Sequence, residues 1–163
     1  MEFELTFTSC YASFYEEAEK VFHMISEQSP EFFKKGYGIC HGAYHQHNVL
    51  ILEDGTATLN LGQFHYNQQM LDLYNLMRKA LEKNQFQNRI FQAAVRGYEQ
   101  ELKLEKEDYQ LLKILFSFPE KFWKISNQYY NNKKCFMPPK NLEKLKKAIS
   151  QNENRRRFIM ELP

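Results

Sequence analysis

Cysteine is scarce and unpaired in this sequence. Cys10, Cys40 and Cys135 are odd in number and far apart, which excludes a disulfide framework and points to a reducing compartment. None shares a CxxC spacing, so a zinc ribbon is excluded too. No apolar run approaches the roughly 20 residues that a membrane-spanning helix needs. The opening Met1-Glu2-Phe3-Glu4 carries acid where a secretory leader needs positive charge, so no leader is expected. Internal repeats and low-complexity linkers are absent, and 163 residues fall within the roughly 100–200 typical of one domain. What the chain has in quantity is aromatic bulk, with Phe 14 and Tyr 10. Together with 43% apolar and 26% charged residues, that is the composition of a soluble globular chain with a sizeable core.

Charge is unevenly spread. From Lys133 to Arg157 nine basic residues face only Glu143 and Glu153, an excess of seven that leaves the remaining chain acidic. Such an end binds nucleic acid, anionic lipid or an acidic protein surface, or is simply a solvated helix face.

Apolar spacing predicts a mainly helical protein. A first helix is expected from about Thr8 to Gln28, with Phe14, Ala18, Val21, Phe22 and Ile25 inward, ended by Ser29-Pro30. Phe32-Phe33 reads as a turn and Gly36-Tyr37-Gly38 as a loop entry. One β-hairpin is expected in the centre, from Val49-Leu50-Ile51-Leu52 and Thr56–Leu61, with Asp54-Gly55 supplying positive φ at the turn. Helical stripes follow at Leu73–Leu81 and Ile90–Tyr98. Further helices are expected from Asp108, with Pro119 in the first turn of the next, and a last one at Leu142–Ile149 after Met137-Pro138-Pro139.

Between the first helices and the hairpin lies Cys40-His41-Gly42-Ala43-Tyr44-His45-Gln46-His47-Asn48. A phosphotransferase loop needs a turn, a base beside the substrate hydroxyl, and a side-chain oxygen for magnesium. The run His41–Asn48 resembles the HGDxxxxN motif of aminoglycoside phosphotransferase and choline-kinase-like enzymes. More widely, the chain resembles the C-terminal lobe of CotS-type spore coat proteins, a kinase-like family of endospore-forming bacteria. The likeness runs in order through CHGAYHQHNVLILEDG, ATLNLGQF, DLYNLMRKALEKN, FSFPEKFWKISNQYYNNKK and FIMEL. It implies the C-lobe of a kinase-like fold spanning 1–163 as a single unit. No Gly-rich strand pair precedes the first helix, so no N-terminal nucleotide lobe is expected here: either the polypeptide never had one or the sequence is a fragment of a two-lobe protein. The resemblance also implies that His41 is structural and that Asp72 belongs to a helix packed beneath the loop, where helix spacing alone reads Asp72 as an N-cap.

Two departures from the family pattern carry the functional reading. Active relatives have an aspartate at the third loop position; Ala43 stands there and can neither orient nor deprotonate a hydroxyl. The magnesium-binding aspartate of the later strand aligns with Asn60, a neutral carbonyl donor. Only Asn48 keeps its metal-ligand identity. The loop His41, Gly42, Ala43, Asn48 is therefore read as degenerate, with Asn48 and Asn60 vestigial and no cofactor or metal bound.

The loop offers residues of two other chemistries. His41, His45 and His47 converge on a metal only with a turn and an acidic partner, which the loop lacks. Cys40 beside His41 is expected to be a buried thiol rather than a nucleophile. The resulting expectation is a pseudokinase-like interaction protein of spore coat assembly, made in the mother-cell cytoplasm and then part of the coat. Its partners would be other coat proteins, with Arg155, Arg156 and Arg157 meeting an acidic surface; nucleic acid is disfavoured and no membrane is involved. The alternative is a small-molecule phosphotransferase lobe, using ATP and magnesium once an N-lobe is supplied.

Overall fold

The structure, a computed structural model, describes residues 2–131 and 139–163. Lys133, Cys135, Met137 and Pro138, named above, lie outside the described residues, as do Lys134 and Phe136 between them. Helix dominates, as the apolar spacing predicts. The first helix, α1 (Glu2–Ser26), starts earlier than expected, with Glu2 and Glu4 at its positive end. It stops before Ser29-Pro30, where a second helix begins instead of a turn. There Ser29 Oγ accepts from the Phe32 amide at 3.3 Å, and Pro30 opens α2 (Pro30–Lys34).

Four short strands follow, not two. β2 (Val49–Leu52) and β3 (Gly55–Thr58) form the expected hairpin. Leu52 pairs with Gly55, so Glu53 and Asp54 make the turn, and neither has positive φ. The positive φ expected of Asp54-Gly55 is carried by Gly55, at φ 156. The second pair joins β1 (Tyr37–Cys40) to β4 (His65–Gln68), antiparallel, with Ile39 opposite Tyr66. Gly36 and Gly38 disguise β1 as a loop in the sequence.

The remaining helices are α3 (Met70–Lys83), α4 (Asn88–Tyr98), α5 (Lys106–Ser117), α6 (Glu120–Tyr130), α7 (Pro139–Ser150) and α8 (Asn152–Glu161). α5 starts two residues before Asp108, which serves as its third residue and accepts from the Glu105 amide at 2.9 Å in a capping box. α8 is an addition to the expected set; its run Asn152–Arg157 is too polar to read as packed helix.

Two apolar clusters hold the helices together. Leu73, Met77, Leu81, Phe91, Leu112 and Phe158 join α3, α4, α5 and α8. Phe3, Phe14, Phe122, Ile125 and Leu145 join α1, α6 and α7, with Phe14 stacked on Phe122 at 4.2 Å. Of the stripe expected on α1, Phe14 and Val21 are buried, whereas Phe22 and Ile25 are exposed. Among the described residues no helix is long and apolar enough to cross a membrane.

Candidate functional site

β1 ends at Cys40 and β2 starts at Val49, so strands hold both ends of the loop His41–Asn48. Asp72, in the first turn of α3, reaches across to its start. The His41 amide donates to Asp72 Oδ2 at 2.5 Å and the Gly42 amide to Oδ1 at 3.1 Å. Asp72 is thus not the N-cap that helix spacing suggested, a position taken by Gln69; its carboxylate fastens loop to helix. Gly42 has φ +78, and a Cβ there would lie 2.7 Å from the Gln63 carbonyl, so the loop turns where glycine alone fits.

The hydrogen bonds of His41 determine its tautomer. The Ala43 amide donates to Nδ1 at 3.2 Å, so that nitrogen carries no proton, and Nε2–H donates to the Leu59 carbonyl at 2.7 Å. The buried ring is a neutral brace between the loop and the segment after β3. With both nitrogens engaged, His41 cannot join His45 and His47 around a metal. Among the described residues no group of three or more His, Cys, Asp or Glu could hold one. His45 keeps a buried, unpartnered Nδ1, and its pKa is lowered by burial first, then by the charges of Lys79 and His47.

The two positions marked for magnesium bond to each other. Asn60 adopts the left-handed conformation, φ 61 and ψ 50, which asparagine tolerates better than most residues. Its Nδ2 donates to Asn48 Oδ1 at 2.7 Å, while Asn48 Nδ2 donates to the Ala43 carbonyl at 2.9 Å. A carbonyl can only accept, so the orientation of both amides follows from the network. Magnesium takes oxygen ligands and favours carboxylates. Ala43, Asn48 and Asn60 offer no carboxylate, and the Asn48 oxygen already accepts an N–H. This donor set does not fit the ion.

Beside the loop, Ile39, His41, Phe64, Leu73, Leu76 and Tyr98 border an open, largely apolar cleft of about 630 Å³. Cys40 is buried under it and its thiol donates to the Asn67 carbonyl at 3.3 Å. Burial pushes that thiol's pKa up, with the Asp72 charge adding to it, which disfavours the thiolate.

The arginines of α8 are not a shared docking edge. Arg155 is buried, donating to the Phe116 and Ser117 carbonyls at 2.9 Å each and paired with Glu17 of α1. Arg156 binds the other Glu17 oxygen at 2.6 Å and Ser13 Oγ at 2.6 Å. Arg157 alone of the three is exposed without an ion pair among the described residues. The helix turns its first arginine inward because the carbonyls ending α5 and the Glu17 carboxylate need a multidentate donor.

Comparison with known proteins places this geometry. The family described as "Spore coat putative kinase YutH" matches residues 3–162. Among solved structures, the aminoglycoside phosphotransferase from Alicyclobacillus acidocaldarius subsp. acidocaldarius DSM 446 matches with a TM-score of 0.88 and 18% identity. That match covers 98% of this chain and 49% of the other, so the chain spans about half the length of the phosphotransferase it resembles. No curated protein matches. At this identity the likeness is one of fold: helices around small antiparallel strand pairs, as in half of an aminoglycoside phosphotransferase. With the family match extending over nearly every residue, the chain belongs to the YutH family of kinase-like spore coat proteins.

Proposed function

We propose that this is a catalytically degenerate kinase-like protein that serves spore coat assembly by binding other coat proteins rather than by phosphoryl transfer. The observation that carries this reading is the bond from Asn60 to Asn48, an amide hydrogen bond where phosphotransfer needs a dication between two oxygen ligands. Ala43 deepens the loss, since a general base alone is worth roughly 10²–10⁴ in rate. What remains is surface. Ile39, Ile51 and Tyr66 on the strands are 72%, 88% and 70% exposed, and Phe64 lies beside them. Ile39 and Tyr66 face each other on β1 and β4, and Phe64 lines the cleft with Ile39; large apolar side chains grouped in this way mark protein-contact faces. The family supports a coat protein as the occupant and the spore coat as the location; synthesis in the mother-cell cytoplasm is part of the same proposal.

A second reading, a phosphotransferase that needs a complementary nucleotide-binding half, is favoured by the match to only 49% of the solved enzyme. One experiment separates them. Thermal melting is followed with ATP, with and without magnesium, for the chain alone and with a nucleotide-binding half supplied in trans. A ligand that binds the folded state raises stability by RT ln(1 + [L]/Kd). No magnesium-dependent rise is expected in either arm. A saturable rise that requires magnesium would establish the phosphotransferase reading instead.

A further inference from the structure

The far end of the loop, Gln46 and His47, forms one wall of a second groove of about 450 Å³, away from the apolar cleft. Its other walls come from three helices, and each brings a pair of lysines one turn apart. α3 supplies Lys79 and Lys83, α6 Lys121 and Lys124, and α7 Lys144 and Lys147. Arg78 adds a seventh cation. Among the described residues Glu82 is the one carboxylate in the lining, and it is engaged by Arg78 at 3.1 Å and Lys121 at 3.8 Å. Arg78 is further occupied by Glu120 at 3.0 Å. Lys79, Lys83, Lys124, Lys144 and Lys147 have no ion-pair partner among the described residues.

Gathering these charges in one concavity has a cost that the fold does not relieve. The Lys79 ammonium has a lowered pKa, first from burial and then from the Arg78 and Lys124 charges. Lys121 is lowered as well, again chiefly by burial; Glu82 works against the shift while Lys147 and Arg78 add to it. Like charges held together in a recess focus the potential there and attract counter-ions of high charge.

We propose that this groove is a binding site for a compact, multivalent phosphate anion. The chemistry of the lining selects that class. Lysine ammonium groups are point charges suited to phosphate oxygens, whereas bidentate carboxylate recognition needs a free guanidinium, and Arg78 is not free. Among the described residues no Phe, Tyr or Trp lines the groove, so none of them offers a nucleobase a stacking platform. The volume lies within the 300–1,000 Å³ of small-ligand pockets rather than that of a duplex track. The groove does not depend on Ala43, Asn48 or Asn60, so this site stands apart from the proposed loss of catalysis.

Inorganic tripolyphosphate in the presence of EDTA is the probe, measured by calorimetry over a salt series. Omitting magnesium separates this site from a nucleotide site, which would require the ion. One-to-one binding that weakens with salt is expected, with orthophosphate at equal concentration at least about 10-fold weaker. The combined variant Lys79→Gln, Lys124→Gln, Lys147→Gln should lose at least about 10-fold in affinity while its melting temperature stays the same or rises, because repulsion is removed. A control with Lys34→Gln, Lys103→Gln and Lys106→Gln, all outside the groove, should bind as the wild type does. Absence of binding, equal loss in both variants, or tighter binding of a single-stranded oligonucleotide than of tripolyphosphate would overturn the assignment. The phosphoryl groups of a metabolite and inorganic polyphosphate share this chemistry, and competition by phytate against tripolyphosphate distinguishes clustered from linear presentation.

Discussion

At the scale of single residues, Asp72 does the most to shape the loop. Its carboxylate accepts two backbone amides at once, from His41 and Gly42. Asp72→Asn keeps one acceptor and turns an NH2 toward an N–H, so a charge-assisted bond is lost and two donors oppose. The expected cost is about 1.5–3 kcal/mol, read as a lower urea midpoint with an unchanged slope. His45 gives a pH prediction. Its folded pKa lies below the ordinary 6.5, by burial first and then by the Lys79 and His47 charges. The unfolded chain therefore takes up the proton first. Stability is full above about pH 6.5 and declines as pH falls from there toward the folded value, the sign set by linkage. His45→Gln should flatten that part of the wild-type profile; an unchanged slope of unfolding midpoint against pH would contradict the assignment. Residues such as Ala43 and Asn60 were legible in the sequence because they break a known pattern. The bond from Asn60 to Asn48 was not, since it joins positions 12 apart and depends on a left-handed backbone that no spacing rule reveals.

At the scale of elements, α8 shows how composition misleads. Gln151-Asn152-Glu153-Asn154-Arg155-Arg156-Arg157 reads as a solvated tail, yet Asn152, Arg155 and Phe158 are buried and tie the helix to α1 and α5. A buried polar side chain is invisible to a search for apolar stripes. Removing one partner of a buried ion pair costs about 3–5 kcal/mol, so Arg155→Ala should destabilise the protein by that order, leaving Glu17 and two carbonyls underpaired. Arg157→Ala, at the surface, should stay within about 0.5 kcal/mol in the same denaturation assay. The lysine pairs of α3, α6 and α7 are the reverse case. Their spacings of three and four residues stand plainly in the sequence, but only the packing of the three helices brings them to one groove.

For the whole molecule, the helical architecture and the kinase-like resemblance were legible because long amphipathic helices and an ordered series of motifs survive without tertiary information. The pairing of β1 with β4 was not, because strands of four residues carry too little alternation and Gly36 and Gly38 weaken the signal further. That pairing has a bearing on how the protein behaves in bulk. Among the described residues each of the two sheets contains only two strands, so every strand has one side without a partner strand. On the β1–β4 pair side chains cover part of that side, Gln69 Nε2 donating to the Ile39 carbonyl and Asn67 Oδ1 accepting from the Gln68 amide, while the Ile39, Ile51 and Tyr66 side chains stand bare. Natural sheets shield such edges with charge, proline or a covering element. With a net charge of only +2, long-range repulsion does little to keep molecules apart. Crowding thus favours strand exchange between neighbours at these borders, and the expected outcome is loss of solubility at concentrations where the helical core is still folded.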